Sequence, residues 1–107
     1  MLTSNDIIPQ FKNAARKIYG EQLDKIVLFG SRARGDFKND SDFDFLVVIK
    51  DDNLTISKEA NKKISDFVYD IWEKTYIRIH ALPMSAQKFY SAKTPLLYWI
   101  RKEGKEI

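Results

Sequence analysis

The stretch Gly30-Ser31-Arg32-Ala33-Arg34-Gly35-Asp36-Phe37-Lys38-Asn39-Asp40-Ser41-Asp42-Phe43-Asp44-Phe45-Leu46-Val47-Val48 decides how this chain is read. It leaves one apolar run, residues 25–29, at a glycine and enters a second, residues 43–49, through two acids. The first run is β-branched and aromatic and stops at Gly30, as a buried strand does on entering a tight turn. The second is almost wholly apolar. A strand of that character is covered on both faces, which predicts a central strand with helices packed over it.

Gly30 and Ser31 leave the first strand for what reads as a helix N-terminus, where free backbone N–H groups and the helix dipole favour an anion. A glycine lets a phosphate approach the backbone closely, and the Ser31 hydroxyl can donate one more hydrogen bond. The same pair also reads as a plain strand-to-helix turn with a serine cap. Asp42 and Asp44 are two apart, so on a strand their carboxylates share a side, roughly 6.6 Å along the chain. Over that distance two acids can converge on a pair of divalent ions about 3.5 to 4 Å apart. Magnesium is the expected ion, since it takes oxygen ligands from one or two carboxylates, water and substrate phosphates. The alternative has Asp42 capping the preceding turn and Asp44 on a solvated edge. Against it, both acids interrupt the start of an apolar strand, where each costs burial energy unless it is metal-bound or solvated.

Outward from this stretch the chain alternates helix and strand. Ile7, Ile8, Phe11, Ala14, Ala15 and Ile18 recur at helical spacing over residues 4–19, with Pro9 near the first turns and Gly20 after the last. Ser57 offers an N-cap for a helix lasting to about Lys74, with Ile64, Phe67, Val68, Ile71 and Trp72 on its apolar face. Residues 76–82 read as a third strand. Ser85 can cap a short helix, and Thr94-Pro95 can open a last one through Trp99, ended by Gly104. The order helix, strand, short helix, strand, helix, strand, helix, helix predicts a small α/β domain.

The chain has 107 residues, 44% hydrophobic and 31% charged, which is enough for one core and predicts a single domain over residues 1–107. No apolar run approaches the roughly 18 to 20 residues of a membrane span, and residues 1–6 lack the form of a signal peptide, so a cytoplasmic location is expected. Zero cysteines exclude thiol catalysis and a thiolate zinc site, and one histidine excludes an imidazole cluster, so any metal must be held by oxygen. A net charge of +3, spread without a block of like sign, permits nucleic acid binding and does not indicate it.

Gly30-Ser31 followed, after a ten-residue spacer, by Asp42-Phe43-Asp44 resembles the nucleotidyltransferase signature of the polymerase-β superfamily. The extended pattern Gly-Ser-Arg-Ala-Arg-Gly with Ser-Asp-Phe-Asp-Phe-Leu-Val is similar to its minimal prokaryotic branch, the MNT domains. The resemblance implies a small mixed sheet with helices packed on one side, a nucleoside triphosphate held through Gly30 and Ser31, and Asp42 and Asp44 on Mg²⁺. It implies attack by an acceptor hydroxyl on the α-phosphorus of ATP, with release of pyrophosphate. Arg32 and Arg34 follow the phosphate turn; one can point at the triphosphate, the other at solvent or at Asp36 or Asp40.

One departure stands out. Active members commonly carry a third carboxylate on the strand read here at residues 76–82, and this strand has no acid. His80 is the candidate general base in its place, with a packed or surface histidine as the plain alternative. Arg78 can contact a phosphate or an acidic partner, or lie on the surface. Asp66, Asp70 and Glu73 fall on the preceding helix and read as its solvated face. The resemblance to MNT antitoxins implies a HEPN-domain ribonuclease toxin as partner, modified on a tyrosine by AMP, in a hetero-oligomer. About 60 residues remain after the site is built and read as core helices rather than a separate substrate-recognition domain, so a partner is expected to bring the acceptor. A second reading is a catalytically silent module that retains nucleotide and neutralises its partner by binding alone.

Overall fold

The computed structural model describes residues 4–107. The amphipathic stripe read from the sequence folds as α1 (Ser4–Tyr19), followed by one 3₁₀ turn (Gly20–Gln22) and β1 (Leu23–Phe29). After Gly30 comes a single helical turn, α2 (Ser31–Arg34), then a loop, then β2 (Phe43–Ile49). A short α3 (Asp52–Thr55) leads to α4 (Lys58–Thr75), β3 (Ile79–Ser85), α5 (Ala86–Ser91), α6 (Pro95–Glu103) and β4 (Lys105–Glu106). Ser57, Ser85 and Thr94 cap α4, α5 and α6 as expected, each side-chain oxygen accepting from a backbone N–H in the first turn. The short α3 and β4 were not foreseen, being four and two residues long and too brief for any periodicity to show.

The four strands form one mixed sheet in the order β3-β2-β1-β4. β1 pairs antiparallel with β2 and with β4, and β2 pairs parallel with β3. Parallel neighbours need a crossover, and α4 supplies it. β2 is central, and its positions from Phe45 to Ile49 have no exposed surface.

Both faces of β2 are covered, each by a different pair of helices. Phe43, Phe45, Val47 and Ile49 pack with Ile7, Phe11 and Ala15 of α1 and Ile64 and Ile71 of α4. The Phe11 and Phe45 rings stack there, centroids 4.1 Å apart and 7° from parallel. Leu46 and Val48 face the other way, onto Phe89 of α5 and Leu97 and Ile100 of α6. The helices therefore do not all lie on one side, as the resemblance implied: α1 and α4 do, and α5 and α6 cross to the second face. The cause is the apolar pair Leu46 and Val48, which would otherwise face water.

The third strand begins three residues later than the sequence reading placed it. Tyr76 adopts a left-handed conformation, φ 59°, and donates its N–H to the Trp72 carbonyl at 2.7 Å, closing α4. Pro83 lies within β3, which is tolerated because β3 is an edge strand and part of its backbone has no ladder partner. Among the described residues no helix is long and apolar enough to cross a membrane.

Candidate active site

The sheet register builds the site. Phe29, the last residue of β1, pairs with Asp44 on β2, and Asp44 pairs in turn with His80 on β3. Gly30, Asp44 and His80 thus meet at the end where β1 finishes and β2 and β3 begin. Asp44 alternates with Phe43 and Phe45 and so shares the face of Leu46 and Val48, beyond the cover of α5 and α6.

Gly30 has φ 75° and ψ −160°, a conformation open to glycine and rarely to other residues. Its lack of a side chain has a second use, since a Cβ there would stand 2.4 Å from Asp44 Oδ2. The glycine is therefore what lets the turn lie directly against the carboxylate. In the first turn of α2 the leading N–H groups have no intrahelical acceptor, and they open beside that carboxylate. A cleft of about 430 Å³ runs from Gly30, Ser31 and Arg34 past Asp44 and Asp42 to Arg78.

Asp42 sits between an imidazole and a guanidinium. His80 Nε2 is 2.8 Å from its Oδ2, and Arg78 Nε is 3.0 Å from its Oδ1. The Arg78 contact is one of charge, not an aligned hydrogen bond, because the buried Oδ1 accepts none. A carboxylate whose buried oxygen accepts no hydrogen bond, beside a second carboxylate in a polar cleft, suits a hard cation. Among the described residues no three His, Cys, Asp or Glu side chains converge as a metal cage. Two carboxylates are nonetheless enough for magnesium, which takes its other oxygens from water and substrate phosphates.

Burial pushes the Asp44 carboxyl above the ordinary carboxylate range; the charge of His80 opposes this, Asp42 adds to it, and Arg34 opposes it. Asp44 is thus costly to ionise, and a bound cation would remove the cost.

The two arginines part company. Arg34 lines the cleft and lies 3.4 Å from Asp36 Oδ2 and 3.6 Å from Glu103 Oε2. Arg32 is placed elsewhere. The residue is 9% exposed, and its guanidinium lies between the Phe37 and Phe43 rings and donates to the carbonyls of Ser41 at 3.0 Å and Asn39 at 3.3 Å. It ties down the loop that delivers Asp42. Phe37 and Phe43 are the sequence signal for that position, legible only once both rings are known to flank the arginine. His80 reaches Asp42 from β3 across 38 residues, and Arg78 reaches it from just before that strand, contacts for which the sequence holds no local sign.

Comparison with known proteins identifies the domain. The family model for the nucleotidyltransferase domain matches residues 8–94. A Methanocaldococcus jannaschii protein named "Putative protein adenylyltransferase MJ0141" is 41% identical over 59 residues, 55% of this chain and 58% of that one. A second from the same organism, "Putative protein adenylyltransferase MJ0604", is 49% identical over 41 residues, 38% of this chain and 41% of that one. The matched region therefore spans less than two thirds of either relative. In fold, the chain is similar to a toxin–antitoxin complex crystallised with AMP-PNP, with a TM-score of 0.60 at 23% identity over 98% of this chain and 72% of that one. It is similar also to a variant of the MntA–HpeT toxin–antitoxin pair, with a TM-score of 0.59 at 21% identity over the same shares.

Two variants test the geometry. Gly30→Ala is expected to lower stability by about 1–3 kcal/mol, the cost of a side chain in a backbone conformation that is essentially glycine's alone, and to weaken any nucleotide binding by displacing Asp44; urea unfolding and nucleotide titration measure the two. For Asp44→Asn in metal-free buffer the sign follows from the raised folded-state pKa. The folded chain keeps the Asp44 proton to higher pH than the unfolded chain, so wild-type stability falls as pH rises from the ordinary carboxylate range through that raised value. The variant lacks this loss and is expected to melt higher than wild type at pH 7, with the gap closing as pH falls; thermal melts across pH measure it. The family match over residues 8–94 shows that the chain belongs to the nucleotidyltransferase-domain family.

Proposed function

We propose that residues 1–107 act as one minimal nucleotidyltransferase domain that transfers AMP from ATP to a hydroxyl of a protein partner. The observation that carries this reading is the contact of the Gly30 turn with Asp44, which sets an anion-binding backbone beside two carboxylates and a histidine. The adenylyltransferase names of the two relatives and the fold likeness to toxin–antitoxin complexes support a protein acceptor, and a HEPN-domain toxin is the partner proposed. The chain would be its antitoxin, in a hetero-oligomer, working in the cytoplasm where ATP is held.

In the proposed reaction Gly30, Ser31 and Arg34 hold the terminal phosphates. Asp42 and Asp44 would hold Mg²⁺, which supplies charge neutralisation for the triphosphate and the pentavalent transition state. The acceptor oxygen bonds to the α-phosphorus as the bond from that phosphorus to the bridging oxygen breaks, and pyrophosphate leaves with the electron pair. His80 takes the acceptor's proton. Asp42 accepts the Nε2–H and so leaves Nδ1 as the basic nitrogen, an arrangement in which a carboxylate orients the imidazole. Arg32 acts through the loop, keeping Asp42 in place.

The absence of a third carboxylate favours a second reading, a silent module that neutralises its partner by binding. Intact-mass measurement of the HEPN-domain partner, after incubation with this chain, ATP and Mg²⁺, separates the two. An adenylyl increment is expected with wild type and none with Asp42→Ala. An unchanged partner mass alongside a stable complex would establish the silent module.

A further inference from the structure

We propose that the acceptor polypeptide enters along the groove between α4 and the outer edge of β3, and not along the cleft between α2 and α6. The inference rests on the nucleotidyltransferase reading and names the face from which its acceptor comes.

Two apolar hollows flank the carboxylate cleft, one at each end. The first, about 460 Å³, shares Gly30 and Arg34 with the cleft and is closed by Leu96 and Trp99 of α6. The second, about 590 Å³, shares Arg78 with the cleft and runs past His80 between β3 and α4. Displacement at phosphorus is in line, so nucleophile and leaving group stand on opposite sides of the α-phosphorus. Gly30, Ser31 and Arg34 are the groups suited to hold the departing pyrophosphate. The acceptor must therefore arrive from the opposite end, where His80 stands ready for its proton. At that end the cleft meets the second hollow through Arg78.

The chemistry of the groove fits a protein segment. Ile64, Val68, Tyr69 and Trp72 of α4 line one wall, and Leu82 borders the hollow at the edge strand. Tyr69, Trp72 and Leu82 are 61%, 40% and 38% exposed, and the Tyr69 and Trp72 rings lie 6.0 Å apart with Tyr76 continuing the row. Tyr69 and Trp72 stand on the outer side of α4, while Ile64 and Ile71 serve the core and Val68 packs against it. Exposed aromatics in a row beside a polar site mark an interaction surface. The charged groups of the groove are the 65% exposed Arg78 and, when protonated, His80. The occupant is accordingly an extended segment whose acceptor hydroxyl lies next to an apolar residue that packs on Tyr69 and Trp72, with an acidic side chain for Arg78. Continuity of the groove with the cleft through Arg78 delivers that hydroxyl to Asp42 and His80.

The test uses the full chain, the HEPN-domain partner, ATP and Mg²⁺, with transfer followed by partner mass and complex formation by titration. Two groove variants are made, Tyr69→Ser with Trp72→Ser, and Leu82→Glu, so that a folding failure in one leaves the other. Leu96→Ser marks the opposite hollow. The expected result is about a tenfold or greater rise in the partner's KM in both groove variants, with kcat and nucleotide affinity kept and Leu96→Ser unchanged in KM. Partner KM unmoved by the groove variants, or raised by Leu96→Ser alone, would overturn the proposal. If wild type binds the partner without modifying it, the transferase reading fails; the groove then stands if its variants weaken the complex and falls if they do not. Absence of both binding and transfer in wild type would overturn both.

Discussion

The close approach of Gly30 to the Asp44 carboxylate is the constraint on which the site depends. A Cβ at position 30 would meet Asp44 Oδ2 at 2.4 Å, so the glycine is required by space as well as by its positive φ. The antiparallel register of β1 on β2 enforces the meeting, because Phe29 opposite Asp44 leaves the next residue of β1 nowhere else to turn. That register is in turn held by the apolar alternation of β2. A slip of one residue would exchange Phe45 and Val47 for Leu46 and Val48 against α1 and α4, and would turn Asp44 into the core. The packing of the sheet and the placing of the carboxylate are therefore one decision.

The remaining parts secure the approach from either side. Arg32, buried between Phe37 and Phe43, binds the loop carbonyls and so sets where the chain re-enters β2. Its cost of burial is offset by two carbonyl acceptors and two ring faces. From the far side, the parallel pairing of β3 brings His80 level with Asp44 and within 2.8 Å of Asp42. Helices α5 and α6 cover the same face farther along β2 and leave the acids open to solvent. Apolar cover and polar opening thus divide one face of one strand.

Much of this was legible in the residues. The amphipathic repeats of α1 and α4, the strand character of β1 and β2 and the three capping residues are local signals, and each appears where the pattern placed it. The pairing of Gly30-Ser31 with Asp42-Phe43-Asp44 pointed to one cleft because the loop between them is short. What lay beyond reading depends on distant contacts. The start of β3 was misplaced because Tyr76-Ile77-Arg78 has strand-like composition, while Tyr76 in fact closes α4 without the glycine that usually marks such an end. The burial of Arg32 requires Phe37 and Phe43 to converge on it. The meeting of Arg78 and His80 with Asp42 requires the parallel crossover, which no spacing announces. The division of helices between two faces followed from Leu46 and Val48, a pair that the resemblance alone did not weigh.

The central claim is that the Gly30 turn and the two carboxylates form a single nucleotide site. The most direct measurement is amide ¹H–¹⁵N NMR of the ¹⁵N-labelled chain titrated with a non-hydrolysable ATP analogue, with and without Mg²⁺. The account predicts Mg²⁺-dependent shifts that are largest at Gly30, Ser31, Asp42 and Asp44 and that saturate together with one affinity. Shifts centred elsewhere in the chain, or a response at the turn that saturates separately from the carboxylates, would contradict it.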